Sequence, residues 1–185
     1  MGILIWVLLG VAVLLVVWMI ATYNRLVSLR QQTMSAWAQI DVQLKRRYDL
    51  IPNLVETVKG YMQHEQTTLQ RVIEARNSAL SAKGVHEKAA AEAQVTSALT
   101  GIFALSEAYP ELRSNENMLS LQEELKSTEN KIAFARQYYN DVVTTYNTKI
   151  ESFPDSIFAG IGGFKSREMF ELDDAAAREP VKVQF

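Results

Sequence analysis

The chain has 185 residues, room for one ordinary domain and too few for two comfortable ones, and its 48% apolar and 22% charged side chains exclude disorder by composition. Eight Gly and four Pro are about half of the usual ~12% share, which argues against turn-rich β folds, collagen-like repeats and flexible linkers. Nineteen basic and 21 acidic side chains leave a formal charge of −2 and no electrostatic footprint for nucleic acid, and the absence of Cys removes disulfides, thiolate metal sites and cysteine nucleophiles together.

Gly2 to Asn24 carries no charged side chain, and Ile3 to Ala21 is almost continuously apolar. At ~1.5 Å per residue that apolar run reaches about 28 Å, close to the ~30 Å hydrocarbon core of a bilayer. An amphipathic core helix would show a polar stripe here, and none exists. Trp6, Trp18 and Tyr23 lie towards the ends, where aromatic rings favour the membrane interface. A cleaved signal peptide needs a basic leading region, a shorter apolar core and small residues before the cut. Only Met1 and Gly2 precede the run, and Met19-Ile20-Ala21 is a poor cleavage context. A retained anchor over residues 1–24 is therefore expected. Met1-Gly2 does not signal myristoylation, because Trp6 stands where Ser or Thr is wanted. Arg25 and Arg30 follow the span, then Lys45, Arg46 and Arg47. The positive-inside bias then puts the short N-terminus outside and the body in the cytoplasm, with Arg25 and Arg30 near enough to feel the membrane surface.

After the span, apolar residues recur at steps of three, four or seven, among them Leu26, Trp37, Ile40, Leu44, Ile51, Leu54, Val58, Leu69 and Val72. That is the spacing of one buried helical stripe. It predicts a first helix over about 25–83, kinked at Pro52, where a backbone donor is missing and the ring crowds the carbonyl of Tyr48. Gly84, with Lys83 before it, is the expected stop. An Ala-rich second helix follows over about 87–108, closed by Pro110, and a third over about 115–152 carries Met118, Leu125, Ile132, Tyr139, Val143 and Ile150. The fold expected for 25–152 is an all-α antiparallel bundle of long helices built on a transmembrane helix.

Beyond Pro154 the pattern changes to an aromatic and Gly-rich segment, and Pro180 to Phe185 alternates like an extended tail. Phe153, Phe158, Phe164 and Phe170 are interaction candidates. The segment 153–170 has three readings: a cap on the open end of the bundle, an insertion into the membrane interface, or a dock for a neighbouring subunit. Helix parity bears on the choice. With only a kink at Pro52, the segment starts far from the bilayer and insertion into the same membrane is disfavoured; a hairpin there reverses the conclusion.

Chemistry finds little purchase. A di-iron bundle needs Glu-x-x-His on two helices, and Tyr61 and Lys83 precede His64 and His86 by three positions. His64-Glu65 begins like a zinc-protease helix, but Thr68 stands where the second His belongs. Gly160-Ile161-Gly162-Gly163 is followed by Phe164 rather than Lys-Ser/Thr, so it reads as a tight reversal and not a phosphate loop. No nucleophile motif is present, and neither a catalytic, a metal nor a cofactor-binding residue is expected. Lys45-Arg46-Arg47 lies about 36 Å along a straight helix from Ala21, beyond the ~8 Å reach of headgroup charge. It reads as a solvated face, or else as a partner surface.

Several longer runs carry a resemblance. Ala36-Trp37-Ala38-Gln39-Ile40-Asp41, Asp49-Leu50-Ile51-Pro52-Asn53-Leu54-Val55, Tyr109-Pro110-Glu111-Leu112, Glu129-Asn130-Lys131-Ile132 and Ala135-Arg136-Gln137-Tyr138-Tyr139-Asn140 resemble the LemA family, as do Tyr23-Asn24-Arg25, Leu121-Gln122-Glu123-Glu124-Leu125, Phe153-Pro154 and the terminal Val183-Gln184-Phe185. The resemblance covers nearly the whole chain. It implies a bacterial protein of the inner membrane with one N-terminal membrane helix and a bundle of long helices. It supplies no activity and no catalytic residue to carry over. It also makes membrane organisation, and an envelope or protease partner, expectations by association. The reading that follows is a membrane-anchored scaffold that contacts lipid and forms homo-oligomers. A monomeric adaptor for another protein is the alternative, and a hydrolase or metalloprotein is a distant third.

Overall fold

The computed structural model describes residues 1–61 and 65–171. They form six helices: α1 (Gly2–Lys59), α2 (Gln66–Ser81), α3 (Gly84–Ser106), α4 (Pro110–Arg113), α5 (Glu116–Glu151) and α6 (Asp155–Ile161). No strand occurs among the described residues, and the fold is all-α. His64 and the alternating run 180–185 lie outside them.

The beginning of α1 is long and apolar enough to cross a membrane, and none of that stretch is buried in the protein. Residues 1–21 are all exposed, and the first buried residue is Thr22. The chain divides into two compact units: Met1–Ile40 with Ala135–Met169, and Asp41–Phe134 with Phe170–Phe185.

In the first unit α1 runs antiparallel to the end of α5. Trp37 meets Tyr139 edge to face at 5.4 Å between ring centroids, and Leu26 shares a core with Tyr146 and Ile150, so numbers rise on one helix as they fall on the other. Ala159 of α6 and Phe164 complete that core. The reversal after α6 is a Schellman-type cap: Phe164 N–H donates to the Ala159 carbonyl at 3.0 Å, and Gly163 takes φ +66°, a left-handed turn that suits glycine.

In the second unit the later part of α1 packs with α2, α3 and the first half of α5. Leu44, Ile51 and Leu54 on α1, Val95 and Ile102 on α3, and Met118 on α5 are all buried. Each set recurs at three- and four-residue steps, so one stripe per helix faces the core. Two residues, Ala82 and Lys83, join α2 to α3 before Gly84 at φ +79°, and such a short link makes the pair antiparallel. Pro110 opens α4, where a missing N–H costs nothing.

The first expected helix, 25–83, is divided. α1 runs through Pro52 and ends at Lys59; α2 begins at Gln66. Lys59 in the last turn and Gly60 after it are ordinary stop signals, and Tyr61 N–H tightens the exit onto the Val58 carbonyl at 3.0 Å. The apolar spacing hid the break, because α1 and α2 each bury a stripe and the count resumes in phase. The extra reversal changes the parity. The segment after Pro154 lies beside the apolar stretch of α1, and the expectation that it starts far from the bilayer is corrected.

Candidate membrane-proximal site

The first unit gathers aromatic rings around the exit of the apolar stretch. Trp18 meets Phe158 edge-on at 5.2 Å between centroids, and Tyr23 meets Phe164 in the same manner at 5.6 Å. Arg30 sits over the Phe164 ring, its guanidinium carbon 5.2 Å from the centroid. Such edge contacts add about 0.5–1.5 kcal/mol beyond area burial, and a cation over a ring adds about 0.5–1 kcal/mol at a partly exposed site. Helical spacing explains the arrangement: Tyr23, Leu26 and Arg30 follow at steps of three and four on one side of α1.

A strap over residues 164–169 then runs back along α5 and is held by its main chain. The Tyr146 hydroxyl donates to the Lys165 carbonyl at 3.0 Å, and the Tyr139 hydroxyl donates to the Glu168 carbonyl at 2.9 Å. Asn147 makes two bonds to Arg167, giving an N–H to its carbonyl at 2.8 Å and accepting from its N–H at 2.9 Å. Burial pushes the Tyr139 hydroxyl above the usual phenol range. Lys149 on α5 pairs with the buried carboxylate of Asp155, fixing the start of α6.

A different constellation fills the second unit. Arg47 is fully buried and pairs with Glu92 of α3 and Glu129 of α5. Its guanidinium also donates to Thr96 Oγ1 at 3.2 Å. The Tyr48 hydroxyl donates to the other oxygen of Glu92, and Arg76 Nε donates to the Tyr48 carbonyl at 2.8 Å. Burial drives the Tyr48 hydroxyl far above the usual phenol range, and the hydrogen bond to Glu92 acts in the same direction. In a buried ion group of this kind the cost of desolvation offsets much of the Coulombic gain. Among the described residues no group of three metal-ligating side chains stands together, and His86 is exposed near the start of α3.

The sequence-derived candidates are thus distributed. Ile3, Trp6, Trp18, Ala21 and Tyr23 are exposed along α1, with Trp18 and Tyr23 touching the aromatic group. Arg25 is exposed and Arg30 half-buried. Lys45 is exposed, Arg46 pairs with Glu124 at 2.7 Å, and Arg47 is buried, so the solvated basic face is corrected: its third member belongs to the core. Pro52 is exposed within α1. Phe153 is exposed, Phe158 half-buried, and Phe164 and Phe170 are buried. Glu92 and Glu129 as partners of Arg47, and Tyr48 as a partner of Glu92, went unrecognised from sequence. A signal existed, since Leu44-Arg47-Ile51 and Glu92-Val95-Leu99 each place one charge in phase with the apolar stripe.

Residues 36–185 match the LemA family. The chain belongs to the LemA family. Magnetosome protein MamQ 2 of Paramagnetospirillum magneticum is 26% identical over 194 residues, covering 89% of this chain and 71% of its own. Magnetosome protein MamQ of Magnetospirillum gryphiswaldense is 24% identical over 193 residues, covering 88% and 71%. Protein LemA of Metamycoplasma hominis is 26% identical over 132 residues, covering 70% and 60%. For this LemA-family chain, an all-α body and an apolar N-terminal helix of membrane-spanning length together support a membrane-anchored helical protein.

Proposed function

We propose that this chain is a membrane-anchored scaffold whose helical bodies associate with one another and so organise membrane or envelope proteins. The apolar stretch of α1 sits in the bacterial inner membrane, the short N-terminus lies outside, and the body is cytoplasmic, as the cations that follow the stretch favour. The observation that carries self-association is apolar surface left open on the second unit. Phe134 is 72% exposed and Val42 63%, while Ile73 and Leu80 stand seven residues apart on one open face of α2. Anchoring concentrates copies in two dimensions, so weak contacts of this kind become effective without any added interface. Relatives above are named for the magnetosome, and a scaffolding role here extends that association. The adaptor alternative loses part of its basic surface, because Arg47 faces inward and Arg46 is paired.

The test uses the lack of Cys. Phe134→Cys in the full chain, in native membranes, should crosslink to a second copy under mild oxidation, whereas Glu116→Cys should not. Recovery of detergent-solubilised protein as a single-copy particle from micromolar to millimolar concentration, with no self-crosslink in membranes, overturns the scaffold reading. Protease added to intact spheroplasts should leave the body uncut.

A further inference from the structure

The turn before α6 and α6 itself carry three large apolar side chains that the rest of the protein leaves uncovered: Phe153 at 82% exposure, Ile157 at 53% and Ile161 at 81%. They recur every four residues. Ile157 and Ile161 stand on the side of α6 opposite Asp155 and Ala159, both buried. A helix this short needs one apolar face to pack, and packing gives no reason for isoleucine on the other.

The neighbour of α6 supplies the reason. Phe158 rests on Trp18, which belongs to the apolar stretch and stands three residues before its last member, Ala21. Those three residues rise about 4.5 Å along the helix, so with the apolar stretch seated in a bilayer α6 would stand at the depth where hydrocarbon gives way to headgroups. The first buried residue of α1 is Thr22, at that same level. Cations flank the segment: Arg25 and Lys165 are exposed, Arg30 lies over Phe164, and Glu151 is the exposed counter-charge at the end of α5.

We propose that α6 lies in the lipid–water interface of the membrane that holds α1, with Phe153, Ile157 and Ile161 set among the acyl chains just below anionic headgroups. The inference rests on the anchor reading and adds to it a second, monotopic contact. Apolar insertion on one side and basic side chains at headgroup level are the two attractions such a contact uses. The consequence is orientation. A lone spanning helix turns freely about its own axis; a second contact beside it stops that rotation and presents the same face of each copy to its neighbours.

The full chain can be probed at single sites, because it holds no Cys. Met19→Cys, Ile157→Cys, Ile161→Cys and Leu80→Cys, each carrying an environment-sensitive fluorophore, are reconstituted into phosphatidylcholine–phosphatidylglycerol vesicles containing lipids spin-labelled near the headgroup. Probes at 157 and 161 should lose at least half as much emission as the probe at 19, and the probe at 80 should lose none. Quenching at 19 but not at 157 and 161 overturns the α6 proposal and leaves the anchor intact. Absence of quenching at 19 as well overturns the anchor, and the α6 proposal with it. Emission at 157 that follows protein density in the vesicle and ignores the spin-labelled lipid assigns the face to a second copy and overturns lipid contact.

Discussion

The two units are built from segments of the same long helices, yet they hold together by different chemistry. The first uses aromatic edges, a cation over a ring and a strap gripped through its backbone. The second uses aliphatic stripes closed around one buried Arg with its carboxylates and a tyrosine. Trp, Tyr and Arg suit surroundings that are apolar on one side and wet on the other. A core shut off from water tolerates charge only when it is paired and hydrogen-bonded. The contrast teaches that one pair of long helices can be closed by aromatic edges along one part and by a buried ion group along another.

That contrast breaks most sharply at Arg47. Arg47→Ala leaves Glu92 buried without its cation, and a loss of about 3–5 kcal/mol is expected, read as a lower thermal midpoint of the helical signal. Replacing the group as a unit, Arg47→Met with Glu92→Leu, should recover most of the loss. Recovery would mark the pair as a device for register; failure to recover would mark it as a net source of stability.

Phe164→Ala removes the ring shared by Tyr23 and Arg30 and should cost about 3 kcal/mol. Limited proteolysis should then cut within 155–170 first and spare α2 and α3, whereas simultaneous cutting in both units would erase the distinction between them. Gly162→Ala sharpens the same point. A methyl there would stand 2.5 Å from the Phe164 ring, so the cap must shift and a cost of about 1–3 kcal/mol follows, seen as a lower thermal midpoint of the helical signal. The smallest effect is expected at Tyr48→Phe, about 1 kcal/mol for one hydrogen bond in the neutral range.

pH separates that last variant further. The folded-state value of the Tyr48 hydroxyl is raised, so its contribution is fully present below the ordinary phenol value of about 10 and is lost as the pH climbs beyond it. Stability of the native chain should therefore fall with alkali above that point. Tyr48→Phe should fall less steeply, leaving the share due to Tyr139, whose value is raised by burial too.

Much of this was legible from residues alone. The span followed from an uncharged run of membrane length, and the helical class from apolar steps of three and four. The turn at Gly60 escaped because periodicity reports which face is buried and says nothing about direction; a chain that doubles back can keep its count. Arg47 escaped for a related reason. A triplet of cations looks solvated when read along the chain, while on a helix its members point to different sides, and only the third faces Glu92. The place of α6 depended on the number of reversals before it, so one missed turn hid its place beside Trp18.

The strap after α6 has its own consequence. Tyr146, Tyr139 and Asn147 recognise the carbonyls of 165, 168 and 167, and Asn147 also reads the N–H of 167. Side chains at 165 and 168 take no part in that grip. Drift between species should therefore leave Tyr146 and Asn147 in place, exclude proline at 167, and let position 165 wander. A lineage with a differently charged bilayer can retune that one side chain and keep the clasp unchanged.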